Sequence, residues 1–165
     1  MLTKRFQIVA FLLIIIASLL VSCSSNSGGP KPQSGATFSG NLAIEKAGEN
    51  GTASGGEITF TTTADGSAIE SMSYSLTGDA CTADGVTIQG VGYTTERTPP
   101  PEVKNGGFEW EENDFLVKGT FTSPTEAIGT ITITIQHSVQ TSINSPATTQ
   151  VTCDYGTWAW NSSSE

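Results

Sequence analysis

Hydrophobic residues follow two different patterns along the 165-residue chain. Near the N-terminus they form one dense run, Ile8-Val-Ala-Phe-Leu-Leu-Ile-Ile-Ile-Ala-Ser-Leu-Leu-Val21. Beyond residue 35 they alternate with polar residues at period two, the spacing of a strand with one buried face. Thr37–Ile44 opens this second pattern, and Glu57-Ile58-Thr59-Phe60-Thr61 follows a Gly/Ser loop. Asp65-Gly66 reads as a tight hairpin turn, returning into a strand with Met72, Tyr74 and Leu76 on one face. Val86 and Ile88 mark a short strand closed by Gly90. Phe108 and Trp110 alternate with Glu109 and Glu111, and a turn near Asn113-Asp114 leads to Phe115, Val117 and Phe121. The cleanest alternation is Gly129–Ile135, with Ile131, Ile133 and Ile135 inward and Thr outward; Thr149–Trp160 closes the series.

These segments predict an all-β fold of about eight or nine short strands, an antiparallel β-sandwich or small β-barrel. Pro99-Pro100-Pro101 lies within Thr94–Lys104 and has no place in a central strand, so that segment is expected as an extended surface loop. No amphipathic helix is evident after the N-terminal run.

The run itself would rise about 21 Å as a helix, short of the ~30 Å hydrocarbon core of a bilayer. Lys4 and Arg5 precede it and small polar residues follow, which is the layout of an export signal; an uncleaved membrane anchor is the alternative. It ends in Leu20-Val21-Ser22-Cys23, which resembles the lipobox of bacterial prolipoproteins. The resemblance implies that the Cys23 thiol takes a diacylglyceryl group and that lipoprotein signal peptidase cuts between Ser22 and Cys23. Residues 1–22 would then be removed. Residues 23–34, the lipidated Cys and a Ser/Gly/Pro-rich stretch, would be a flexible tether, and residues 35–165 a single domain held to a membrane through lipid. Ser24 rather than Asp after the Cys implies the outer membrane in a two-membrane host, and the cell surface otherwise.

Charge narrows the partners. Sixteen acids against seven bases give a net charge of -9, and loss of Lys4 and Arg5 leaves five bases against sixteen acids, about -11. Such a chain is repelled by nucleic acid phosphates, which leaves an envelope protein or a glycan as the partner classes. Oligomeric state is not readable.

With Cys23 assigned to lipid, the other two of the three cysteines, Cys81 and Cys153, form a natural pair in an exported chain, and a structural disulfide is expected. Gly119-Thr-Phe-Thr-Ser123, Gly129-Thr130 and Cys153 with Gly156-Thr-Trp158 also resemble a small disulfide-linked β-domain of secreted and surface bacterial proteins. That resemblance covers the last third of the chain and implies no activity.

Candidate chemistry is sparse. His137 is the one imidazole and sits where a strand-end surface residue is expected, and no metalloprotease, phosphate-loop or dinucleotide motif occurs. No cofactor and no enzymatic activity are expected; carboxylate-dependent hydrolysis is the alternative, on the number of acids alone. Glu109, Glu111, Glu112 and Asp114 crowd one hairpin, as weak calcium ligands or as charges guarding a sheet edge. Trp110, Trp158 and Trp160 are either core or, if exposed, a stacking platform for sugar rings. The segment around Glu96-Arg97-Thr98-Pro99 reads as a stiff connector or a docking loop. The sequence thus points to a lipid-anchored cell-envelope protein displaying a β-sandwich binding or structural module, with a carbohydrate-binding module as the nearest alternative.

Overall fold

Period-two alternation becomes hydrogen-bonded ladders close to where the sequence places it. A computed structural model describes residues 28–83, 85–96, 98–140 and 148–164. The apolar run and Leu20–Cys23 lie outside the described residues. The chain is all-β, and every ladder is antiparallel. The first half contributes β1 (Thr37–Ala47), β3 (Gly55–Thr62), β4 (Ile69–Thr77) and β7 (Gly92–Glu96) to the main sheet, and the second half β8 (Gly107–Glu112), β9 (Phe115–Ser123), β10 (Glu126–Gln140) and β11 (Thr148–Ser164). The order across this eight-stranded sheet is β7-β4-β3-β1-β11-β10-β9-β8. Each half is therefore a meander, and the first and last strands meet at the centre. Three short strands, β2 (Gly51–Thr52), β5 (Ala80–Ala83) and β6 (Val86–Ile88), form a small separate sheet.

The large sheet curls so that its two halves share one core. Phe60 on β3 packs against Phe108 on β8 with ring centroids 5.3 Å apart, Phe38 on β1 meets Phe121 on β9 at 5.3 Å, and Tyr74 on β4 meets Phe115 on β9 at 5.6 Å. A half-barrel filled with aromatic rings results, within the expected sandwich-or-barrel class. The outer face carries hydroxyl pairs across neighbouring strands, Thr37–Thr61 (3.1 Å) and Thr132–Thr157 (3.0 Å), which accounts for much of the Thr in the chain.

Two strands are far longer than expected, β10 with 15 residues and β11 with 17. β11 stays in phase with the core only because of a bulge. Ile133 pairs with Gly156 and Thr134 with Asp154, leaving Tyr155 as the extra residue. Inward positions therefore switch from Val151, Cys153 and Tyr155 to Trp158, Trp160 and Ser162. The Asp154 carboxylate accepts the Gly156 N–H at 2.8 Å, and Gly156 has the positive φ of 78° that a side chain would resist.

The proline-rich segment is more than a surface loop. Thr94 belongs to edge strand β7, opposite Ser73. Farther on, the Ile69 N–H donates to the Pro101 carbonyl (2.9 Å), the Val103 N–H to Ser67 O (2.7 Å), and the Phe121 N–H to Gly106 O (2.7 Å). The segment thus links the start of β4 to the start of β8, spanning the seam between the two edge strands. Prolines are tolerated there because this strap offers carbonyls to its neighbours and needs few donors of its own.

The stretch expected as tether up to Ser34 also makes defined contacts. Pro32 is buried, and the Gln33 N–H donates to Pro124 O at 2.7 Å. A Gly/Ser/Pro composition suits a solvated linker, but it equally lets backbone groups pack close to other backbone, and that is its use here.

Candidate functional site

The three tryptophans are where an exposed sugar platform was a possibility, and the structure places all of them inside. Trp110 is 0%, Trp158 1% and Trp160 4% exposed. Each indole takes about 200 Å² out of water, on the order of 5 kcal/mol before entropic costs. Two of the indole N–H groups are satisfied locally, Trp158 Nε1 donating to Tyr155 O (2.9 Å) and Trp110 Nε1 to Glu112 Oε1 (3.1 Å). The Trp160 ring packs over Gly129, where a Cβ would overlap it, while a Cβ on neighbouring Gly119 would overlap the Phe108 ring. Its Nε1 is buried without a partner. The platform reading therefore fails: an aromatic-filled half-barrel uses these rings as core.

The acidic hairpin does not assemble into a calcium site. Glu109 pairs across the ladder with Lys118 (3.2 Å), Glu112 is engaged by Trp110, and the Asp114 carbonyl accepts the Thr134 N–H (2.9 Å). Among the described residues no three His, Cys, Asp or Glu side chains converge as metal ligands. Alternation explains why: Glu109 and Glu111 face outward from β8, whereas Glu112 reaches back along the strand toward the indole it accepts from.

His137 is not at a strand end. It lies within β10 opposite Val151, with Nε2 buried and without a hydrogen-bond partner among the described residues.

Cys81 and Cys153 form the expected disulfide, with Cα atoms 5.8 Å apart and both residues fully buried. The bridge joins β5 of the small sheet to β11 of the large one. Nearby, Asn50 clasps the same strand, its Nδ2 donating to Thr152 O (2.8 Å) and its Oδ1 accepting from the Asp154 N–H (2.9 Å).

The feature that sequence reading missed is a tyrosine cluster at this end. All three tyrosines of the chain gather there. Tyr74 and Tyr93 stack at 6.3 Å, Tyr93 meets Phe115 at 5.3 Å, and Tyr155 stands within electrostatic reach of Tyr74. Burial, and secondarily the Asp114 carboxylate, pushes the Tyr74 hydroxyl well above its ordinary pKa. Burial and then Asp79 raise Tyr155 as well, and its hydroxyl has no hydrogen-bond partner. Asp79 itself is buried and accepts the Val91 N–H at 2.9 Å. No local signal in the sequence ties residues 74, 93 and 155 together; only the order of the strands does.

A recess of about 380 Å³ lies on the outer face of β3, β4 and β7, lined by Glu57, Thr59, Ser73, Ser75 and Thr94. The Tyr93 ring, 37% exposed, is on the opposite face, where it packs against Tyr74 and Phe115. The outer surface thus offers several hydroxyls and a carboxylate, groups that hydrogen-bond a polyhydroxylated ligand. No protein-family model matches the chain, and no curated protein or solved structure is significantly similar to it.

Proposed function

We propose that this chain is an exported lipoprotein, anchored through a diacylglyceryl group on Cys23, whose β-domain is a non-catalytic binding or structural module of the cell envelope. One observation carries the reading. Cys81 and Cys153 are bridged in the core, so Cys23, at the end of a signal-like apolar run, is the one cysteine left over. A core disulfide suits an oxidising compartment, and a thiol at a lipobox is the group that lipid transfer alkylates. The mature protein would sit in the outer membrane of a two-membrane host, or on the surface of a single-membrane one.

Mass spectrometry of the mature N-terminal peptide tests this directly. Cys23 carrying diacylglycerol, with labelled palmitate incorporated, supports it. Cys23→Ser should abolish labelling and leave residues 1–22 attached. A wild-type N-terminus without added lipid mass would overturn it.

A glycan ligand at the outer-face recess of β3, β4 and β7 is a second reading, favoured by the hydroxyls and the Glu57 carboxylate that meet there. Binding of envelope polysaccharide that Glu57→Gln weakens about tenfold, with thermal stability retained, would support it. Unchanged binding in that variant would remove it.

A further inference from the structure

The approach to β1 sets the direction in which the whole domain faces. Gly29 lies so close to the Asn105–Gly106 backbone that a Cβ would strike the Asn105 carbonyl. The Gln33 N–H reaches Pro124 O, the Gln33 carbonyl accepts from the Thr62 hydroxyl (2.7 Å), and the Gly35 N–H donates to Thr63 O (2.9 Å). These partners belong to the proline-rich strap, the β9–β10 turn and the β3–β4 hairpin. By strand direction all three lie at one end of the half-barrel. The disulfide, the small sheet and the Glu111–Asp114 hairpin lie at the other.

From Cys23 to Gly29 there are six residue steps, at most about 21 Å fully extended. Strands of 9 to 11 residues such as β4, β9 and β1 already span about 30 Å, and the longer β10 and β11 reach farther. The link is thus too short to let the domain turn over. We propose that the end formed by the β3–β4 hairpin, the β9–β10 turn and the strap faces the lipid bilayer, and that the disulfide end with its acidic hairpin faces away. This orientation rests on the lipoprotein reading above. Chain length and not charge sets the orientation, since both ends carry acids: Asp65, Glu102 and Glu126 stand at the near end beside Lys31 and Lys104, and Glu111, Glu112 and Asp114 lie at the far one. The end that holds the tyrosine cluster is then presented toward the medium or a facing envelope layer.

The test uses the full lipidated chain in vesicles of phosphatidylethanolamine and phosphatidylglycerol. A donor dye is placed at Ala64→Cys on the near hairpin or at Asn113→Cys on the far one, both exposed positions, with an acceptor on the lipid headgroups. Several-fold greater transfer from residue 64 is expected. Inserting about 20 Gly/Ser residues after Ser25 adds about 25 Å of mean reach and should bring the two signals together. Equal transfer, or more from residue 113, in protein whose Cys23 carries lipid would overturn the orientation while leaving the anchor intact. Absence of lipid on Cys23 would remove the anchor and the orientation together.

Discussion

The two ends of the half-barrel are held by different physics. At the near end, connections interlock through backbone hydrogen bonds: the strap, the β9–β10 turn, the β3–β4 hairpin and the segment before β1 all exchange N–H and C=O groups. At the far end, beside the tight β8–β9 turn, the excursions from β1 to β3 and from β4 to β7 are held by covalent and aromatic contacts instead. The Cys81–Cys153 bridge fixes the small sheet, Asn50 ties its approach to β11, and Tyr74, Tyr93 and Phe115 pack where the strand ladders run out. The difference follows from how far a connection strays from the sheet. A turn of a few residues satisfies its own backbone locally, whereas the excursion from Gly78 to Val91 carries its chain away from the sheet and needs an anchor back to it.

Several changes would break or sharpen that contrast. The largest effect belongs to the far end: Cys81→Ala with Cys153→Ala opens a loop of 72 residues and should cost about 4 kcal/mol, read as a lower denaturant midpoint. Loss of protection from hydrogen exchange should concentrate in β5 and β6. If it spread evenly over both ends, the division drawn here would be wrong. Next comes Gly129→Val, whose side chain would meet both the Lys118 backbone carbonyl and the Trp160 ring on the near-end half of the core. Overpacking of this kind should cost about 3 kcal/mol by chemical denaturation.

Alkaline pH separates the ends more selectively. Tyr74 and Tyr155 have raised pKa values in the folded protein, so the folded state holds their protons more tightly than the unfolded chain does. Their contribution is intact below the unfolded tyrosine value of about 10 and is lost as pH rises from there toward the folded values. Stability should fall above about pH 10, and Tyr74→Phe should flatten that fall. An unchanged slope in the variant would detach Tyr74 from it. The smallest effect lies in the near-end hairpin. Hydrogen bonds from Ser67, and then Thr63, hold the Asp65 carboxyl below the usual carboxylate range. Its contribution is present above the unfolded carboxyl pKa and disappears as pH drops through the folded one. Asp65→Asn should therefore lower the melting temperature slightly at neutral pH and not at all in strong acid.

Much of this fold was legible because alternation is a local signal. Ile131 and Ile133, Met72 and Tyr74, and the pair Cys81 and Cys153 are found as expected. What escaped is what depends on phase or on distance. Cys153 and Trp158 are five residues apart, so strict alternation would put them on opposite faces, and only the extra residue Tyr155 lets both point inward. Whether Trp110, Trp158 and Trp160 face the core or solvent was undecided for a related reason: a period of two separates faces without saying which is inside. The contacts of Gly29, Pro32 and Gln33 escaped because their composition is that of a linker, and composition does not report a nearby backbone that fits it. The outer-face recess combines residues from three strands, which no stretch of sequence displays together.

The meeting of β1 with β11 at the middle of the sheet has a consequence for how the chain is made. Phe38 pairs beside Ser164 and Leu42 beside Trp160, so the central ladder joins residues more than a hundred positions apart. Until the last strand is delivered, β1 has one neighbour instead of two, and the first meander has no second half to cover its aromatic face. Loop-closure entropy over that span makes early completion unfavourable. A nascent chain built this way keeps its central ladder open until β11 has been made, and its two halves close over one core only then.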